Sequence, residues 1–217
     1  MKAIIDGRLV MPDTVLDGYA LLYDGNTILD VVTQDSVNTD ACESVVRADG
    51  ALIMPGFINE HIHGCAGVDT MDEDAGALLK MQQVLPATGV TSFLPTTMTY
   101  DRRRIEEALQ RIRQAKANPG TRILGAHMEG PFISQAYKGA QKAENISAAD
   151  FSWLEPYADV VKIITLAPET LKDRSFLEQC AAHHIIVSVG HSAASYEEVR
   201  SIMQIAHSIT SRISSTR

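Results

Sequence analysis

The 217-residue sequence is poor in cysteine, with Cys42, Cys65 and Cys180 standing far apart, and poor in aromatic residues, which make up 6% of it. Three thiols so spaced fit neither a disulfide framework nor a zinc ribbon, so they are expected to be reduced and to act as packing. No apolar run approaches the ~20 residues that span a bilayer. The N-terminal segment reaches Asp6 before any apolar stretch of signal-peptide length, so the expectation is a cytoplasmic protein with no membrane partner. Concentrated positive charge is also missing: the net charge is -8, and no basic cluster exceeds Arg102-Arg103-Arg104. Nucleic acid is therefore excluded as a partner, since neutralising phosphates needs a dense basic face. An anionic small molecule met by local contacts remains compatible. What is present is ordinary globular material, 45% hydrophobic and 21% charged, enough for a sizeable core.

Residues 1–53 alternate short apolar runs with turn pairs: Ala3-Ile4-Ile5 before Asp6-Gly7, Ala20-Leu21-Leu22-Tyr23 before Asp24-Gly25-Asn26, then Ile28 to Val32. Asp-Gly between apolar runs signals a hairpin, so this region is expected to be a small β module. Over residues 54–217 strand-like runs alternate with segments of helical period. The runs are Leu52 to Ile58, Val90 to Leu94, Arg122 to Ala126, Val160 to Leu166 and Ile185 to Val189, giving five readable strands. The spacing predicts helices over about 72–88, 101–117, 147–157, 170–184 and 194–206. Asp101 should cap the second, Asn118-Pro119-Gly120 should stop it, and Pro86 should end or kink the first. Repeated β–α units need parallel strands with crossover helices, hence an α/β fold, either a doubly wound sheet or a (β/α) barrel.

Chemically capable residues follow the strands. His61-Ile62-His63 comes after the first, His127-Met128-Glu129-Gly130-Pro131 after the third and Gly190-His191-Ser192 after the fifth. Side chains repeat every two residues in a strand, so His61 and His63 share a face and make half of a divalent-metal site. Each motif alone reads as readily as polar packing or a cap. Three strand ends that each supply a metal-competent group point to convergence on one ion, at the end of the strands where a β/α barrel carries its active site. His127 shares a face with Glu129 and is a candidate supporting group. His183 and His184 read as helix-end residues, His207 has no partner signal, and Cys65 reads as a small residue in a tight loop.

Met54-Pro55-Gly56-Phe57-Ile58-Asn59-Glu60-His61-Ile62-His63-Gly64 resembles the opening motif of the metal-dependent amidohydrolase superfamily. The segments Val90 to Thr97, His127 to Ile133, Lys138-Gly139-Ala140-Gln141 and Gly190 to Ala194 narrow the resemblance to the N-acetylglucosamine-6-phosphate deacetylase family. It implies a (β/α)8 barrel with a small β-sandwich, of which residues 1–53 are the N-terminal part and 54–217 part of the barrel. It implies hydrolysis of the acetamide of N-acetylglucosamine 6-phosphate to acetate and glucosamine 6-phosphate in amino-sugar catabolism. It assigns His61, His63, Glu129 and His191 as ligands of one or two divalent ions, zinc first, with iron, manganese or cobalt as alternatives. It places Ala140 and Gln141 against the sugar, and makes the full-length family homo-oligomeric. Asn59-Glu60 departs from the family motif and is expected to alter what surrounds the ligands, not the ligand set.

Residues 54–217 are fewer than the roughly 250 of a complete barrel, so the expected fold is an incomplete (β/α)8 barrel of about five strands. The family's catalytic Asp would lie beyond the last residue, and no catalytic residue is assigned. In place of the family's sixth strand, ending Thr-His-Leu-Phe-Asn-Ala-Met, the chain reads Ile209 to Arg217. One permitted codon choice for Thr210 to Arg217 encodes Ile-Thr-His-Leu-Phe-Asn-Ala in the adjacent frame. The tail from about Arg200 is thus expected to be out of frame, and the chain to be impaired or inactive and to self-associate. The competing readings are a non-catalytic metal-binding remnant or assembly protein, and a deacetylase of the galactosamine 6-phosphate epimer. The segments Glu129 to Phe132 and Lys138 to Ala140 disfavour a cyclic amide substrate.

Overall fold

A computed structural model of the chain describes residues 1–203 and the backbone of 209–211. It divides into two compact units, Met1–Gly56 and Phe57–Arg217.

The first unit holds seven short strands: β1 (Lys2–Ile5), β2 (Arg8–Val10), β3 (Val15–Leu16), β4 (Tyr19–Asp24), β5 (Thr27–Thr33), β6 (Ser44–Arg47) and β7 (Leu52–Ile53). They form two sheets, ordered β5-β4-β1-β6 and β3-β2-β7. Ala3, Ile5 and Ala20 are buried, with Leu22, Val37, Cys42 and Val45 packed against them. Asp24 pairs with Thr27, so Gly25-Asn26 is the two-residue hairpin turn that the sequence signals. Asp6-Gly7 is not a hairpin. β1 pairs antiparallel with β4 and parallel with β6, while β2 belongs to the other sheet. Asp6 turns this corner with φ +57°. Its N–H donates to Gln34 Oε1 at 2.8 Å, and its carboxylate accepts from Gln34 Nε2 at 2.6 Å and from Arg47. Partners remote in sequence therefore decide where the chain goes after the turn.

The second unit runs β8 (Phe57–Ile62), β9 (Gly64–Cys65), β10 (Val68–Asp69), α1 (Gly76–Val84), β11 (Val90–Thr97), α2 (Arg102–Ala115), β12 (Arg122–Ile123), β13 (Ala126–Glu129), α3 (Phe151–Leu154), β14 (Val161–Leu166), α4 (Ser175–Ala182), β15 (Ile186–Val189), α5 (Tyr196–Met203) and β16 (Ile209–Ser211). β9 and β10 form a small hairpin. The remaining strands are all parallel, with β8 beside β11 and then β13, β14, β15 and β16 in chain order. β12 also pairs with β11, Ser92 opposite Arg122 and Phe93 opposite Ile123, one residue out of step with Thr96 opposite His127. β12 and β13 are thus one strand kinked at Leu124-Gly125. A Cβ on Gly125 would stand 2.5 Å from Val160 O and Lys162 Cγ, so glycine is what lets β14 close up there. The result is the incomplete barrel expected. All five strands read from the sequence are present, and β16 adds three backbone-paired residues at the edge of β15.

α1, α3 and α4 are shorter than their apolar periodicity suggests. Asp150 caps α3, its Oδ1 accepting from Ser152 N at 3.0 Å, and Asp173 Oδ1 accepts from Ser175 N at 2.8 Å in the turn that leads into α4. Pro86 lies in the 3-10 turn Leu85–Thr88 that follows α1. Asp101 caps α2 through Arg104 N at 3.1 Å, and Ile105, Ala108, Leu109, Ile112 and Ala115 form its buried face. These pack with Phe93, Met128, Ile164 and Leu166 into the core under the strands. Phe132 sits edge-on to both Trp153 and Phe176. His183 caps α4 and lies over Phe151. His207, residues 204–206 of the last expected helix, and residues 208 and 212–217 of the expected out-of-frame tail lie outside the described residues. No helix among the described residues is long and apolar enough to cross a membrane.

Among the described residues β8 is paired with β11 alone, and Phe57 and Ile58 on it are 52% and 60% exposed. An unpaired edge of this kind recruits further strands. Sedimentation velocity is expected to show association that grows with concentration and weakens on Phe57→Lys/Ile58→Lys substitution. A monodisperse monomer over the same range would count against it.

Candidate metal centre

The C-terminal ends of the parallel strands bring four residues together. β8 supplies His61 and, one residue past its end, His63, whose rings meet edge-on with centroids 4.9 Å apart. β13 ends on Glu129, and His191 follows β15. Donor atoms of His61, His63 and Glu129 all lie within 4.8 Å of one another. The Glu129 carboxylate is the hub. Oε1 is 3.7 Å from His61 Nε2 and 3.3 Å from His191 Nε2, and Oε2 is 3.3 Å from His63 Nε2. His191 takes up its place with φ +50°, a left-handed backbone that costs a non-glycine residue about 1–3 kcal/mol.

The backbone fixes the tautomers. A carbonyl oxygen only accepts, so His63 Nδ1 donates to Thr96 O at 3.1 Å and His191 Nδ1 donates to Tyr137 O at 2.9 Å. In the neutral rings each Nε2 then carries a lone pair directed at the carboxylate. Lone pairs facing an anion repel unless the imidazoles are protonated or a cation stands among them. Without a cation, burial pushes Glu129 up, but hydrogen bonds from His191 and His63 and the charge of His63 and His61 outweigh it, holding the group far below the usual carboxylate range. Burial lowers His63, yet its hydrogen bond and attraction to Glu129 leave it raised; His191 is raised first by its hydrogen bond to Glu129. The imidazole nitrogens of His61 and His63 and the ionised oxygen of Glu129 are a donor set that fits a divalent cation, and His191 stands beside this group, against Glu129 Oε1 and outside the 4.8 Å cluster.

His127 stands behind this cluster. Its Nδ1 donates to Glu60 O at 2.8 Å, its Nε2 lies 2.7 Å from the Thr165 hydroxyl, and its ring meets that of His61 at 4.9 Å. Asn59 Oδ1 accepts from His61 N at 3.1 Å. Asn59 thus holds the backbone of His61, and Glu60 meets His127 through its carbonyl. Ala140 is exposed, whereas Gln141 is buried and turned inward, its amide facing Glu129 and Thr99 and not solvent. Cys65 is half-buried in the β9–β10 hairpin, and burial pushes the Cys180 thiol up to about 12. Sequence reasoning missed the threonines at and just beyond the end of β11. Thr96 Oγ1 accepts from Ile62 N at 2.9 Å, and Thr99 Oγ1 donates to Glu129 O at 3.2 Å. Hydroxyls clustered at a strand end, Thr96-Thr97-Met98-Thr99, were the available signal.

The amidohydrolase family profile matches residues 52–211. The chain belongs to the amidohydrolase family. That family is metal-dependent, and the His61–His63–Glu129 cluster lies inside the matched region. The N-acetylglucosamine-6-phosphate deacetylase of Bacillus subtilis (strain 168) is 37% identical over 191 residues, covering 84% of this chain and 48% of the relative. The N-acetylgalactosamine-6-phosphate deacetylase of Escherichia coli O157:H7 is 34% identical over 163 residues, covering 72% of this chain and 43% of the relative. The crystal structure of N-acetylglucosamine-6-phosphate deacetylase from Pasteurella multocida superposes with a TM-score of 0.86 at 29% identity, covering 94% of this chain and 54% of that one. The chain thus spans about half the length of the relatives it matches.

The opposed shifts fix how stability depends on pH in this amidohydrolase half-barrel. The raised His63 and His191 contribute stability that is complete below the ordinary imidazole pKa and is lost as pH rises through their raised folded values. The lowered Glu129 contributes stability that is present above the ordinary carboxylate pKa and is lost as pH falls through its lowered folded value. In the presence of a chelator, the thermal midpoint should be highest between those ranges and fall toward alkaline pH. Glu129→Gln should flatten the alkaline fall; an unchanged slope in that variant would contradict the coupling.

Proposed function

We propose that this chain carries the cation-binding part of a site that hydrolyses the acetamide of an N-acetylated amino-sugar phosphate, N-acetylglucosamine 6-phosphate first, with release of acetate. The observation that carries this reading is the convergence of His61, His63 and His191 Nε2 on the buried Glu129 carboxylate. The named activity of the related deacetylases supports the choice of substrate.

His61, His63 and His191 would hold a divalent cation through Nε2, and Glu129 would do so through its carboxylate. Bound there, the cation lowers the pKa of water toward neutrality and polarises an amide carbonyl. Thr96 O and Tyr137 O keep the Nε2 atoms of His63 and His191 turned to the site, so ring orientation is settled before any ligand arrives. Glu129, held ionised, supplies the negative charge. Ala140, exposed next to Gln141, offers backbone to a sugar. Zinc suits this imidazole–carboxylate set, which also accommodates iron, manganese or cobalt. A cytoplasmic setting accords with the three free cysteines.

One observation favours a second reading, cation binding without turnover. Among the described residues Glu129 is the one carboxylate of the cluster, and a carboxylate held so strongly ionised is a poor proton donor to a departing amine. Elemental analysis paired with an acetate-release assay on N-acetylglucosamine 6-phosphate and its galactosamine epimer, N-acetylgalactosamine 6-phosphate, separates the two. Acetate from the first epimer supports the enzyme; bound cation without acetate supports the second reading. Under either, Glu129→Gln should weaken zinc affinity more than about 100-fold, beyond the 10–100-fold that loss of an outer partner costs. Zinc affinity should also fall as pH drops through the raised imidazole pKa values, because protons compete for Nε2. Wild-type zinc affinity in the Gln variant would remove the basis for both.

A further inference from the structure

Gln141 is 4% exposed and lies on the segment that follows β13, not on any strand of the half-barrel. Both ends of its amide are used. Thr99 N–H, which can only donate, reaches Oε1 at 2.9 Å, and Nε2 donates to Glu129 Oε2, which can only accept, at 3.0 Å. This leaves one orientation for the amide, because the reverse would set donor against donor and acceptor against acceptor. Thr99 holds the other side of the same residue through the bond from its hydroxyl to Glu129 O. The room for this grip comes from Gly130. With φ +72°, a Cβ on it would lie 2.1 Å from Thr99 Oγ1. The same segment reaches His191. Tyr137 O takes the Nδ1 proton, and Gly139 lies against the ring, where an added Cβ would meet Cε1 at 3.6 Å.

We propose that Gln141 is a positioning residue for the cation site. It fixes the plane of the Glu129 carboxylate so that Oε2 faces His63 while Oε1 faces His61 and His191. Resting on the metal-site reading, this gives the side chain a role different from contact with a sugar. A carboxylate free to rotate about its last bond would spread its oxygens over many directions, and the cation would have to bear the cost of ordering it. The amide bears that cost through Thr99 N, a backbone atom at the end of β11. The polarity required, one acceptor and one donor two bonds apart on a planar group, is shared by neutral imidazole. Histidine at 141 should therefore do the same task, and an isosteric side chain without the amide should not.

The test uses the full chain and cobalt(II), read by its visible d–d absorption, on wild type, Gln141→Met and Gln141→His, with thermal melts in chelator as the control for folding. Gln141→Met leaves Thr99 N and Glu129 each one partner short, so its metal-free midpoint is expected to fall; at a temperature where the melts show it folded, it is expected to weaken cobalt affinity about 10–100-fold and to shift the d–d bands. Gln141→His should restore affinity to within about threefold of wild type. Cobalt bound by Gln141→Met with wild-type affinity and spectrum would overturn the proposal. So would a Gln141→His variant no better than Gln141→Met in affinity or spectrum. Amide proton exchange of the Gln141 side chain in chelator keeps the two ideas apart. If wild type binds no cobalt, the metal-site reading fails; a fast-exchanging Gln141 amide overturns the positioning role itself.

Discussion

A buried carboxylate that must stay ionised is the constraint on which the second unit depends. Leaving such a charge without partners in a protein interior costs several kcal/mol. Glu129 avoids that cost by gathering four positive or donating groups: His61 and His63 at the end of β8, His191 after β15, and Gln141 from the segment beyond β13. Each imidazole presents the same atom, and for His63 and His191 the backbone dictates which atom that is. The geometry that makes the protonated site attractive to itself is the one that makes the neutral site attractive to a cation.

The strands deliver these groups because parallel neighbours bring their C-terminal ends to one side of the sheet. Registers such as Glu129 opposite Thr165 and Thr165 opposite Ser188 set the heights. The kink at Gly125 and the tight turn at Gly130 let the third strand approach β14 closely and still end on Glu129. His127 spans three strands, joining Glu60 O on β8 to the Thr165 hydroxyl on β14 while standing edge-on to His61. Beneath this polar layer, Phe93, Ile105, Met128 and Ile164 supply the apolar burial that holds the strands in register. The site is therefore carried by the rigid part of the fold, with one loop, 137–141, adjusting two of its members.

Much of this was legible in the sequence, and what was not has physical reasons. The parallel strands show because each is an apolar run bounded by helical periodicity. The pairing of His61 and His63 follows from the two-residue repeat of a strand. α2 could be bounded to within two residues because its cap, buried stripe and stop agree. α1, α3 and α4 are shorter than the expected spans, since periodicity does not show where a cap such as Asp150 will start a helix. Asp6-Gly7 announces a turn but not the destination of the next strand, which Gln34 and Arg47 decide from a distance. Gln141 was legible as part of the site but not as the partner of Glu129, because that depends on the path of a loop with no regular period. The threonines at the end of β11 act through single hydroxyls, whose clustering in Thr96-Thr97-Met98-Thr99 does not say which atoms they meet.

X-ray absorption at the zinc edge of the zinc-loaded full chain tests the central claim most directly, because it reports which atoms surround the ion independently of turnover. A first shell of nitrogen and oxygen at about 2.0–2.2 Å, with the multiple scattering of two or more imidazoles that is reduced in Glu129→Gln and His61→Ala/His63→Ala proteins, is the result the convergence on Glu129 predicts. A shell containing sulfur at about 2.3 Å, or an imidazole signal untouched by those substitutions, would place the ion elsewhere and contradict it.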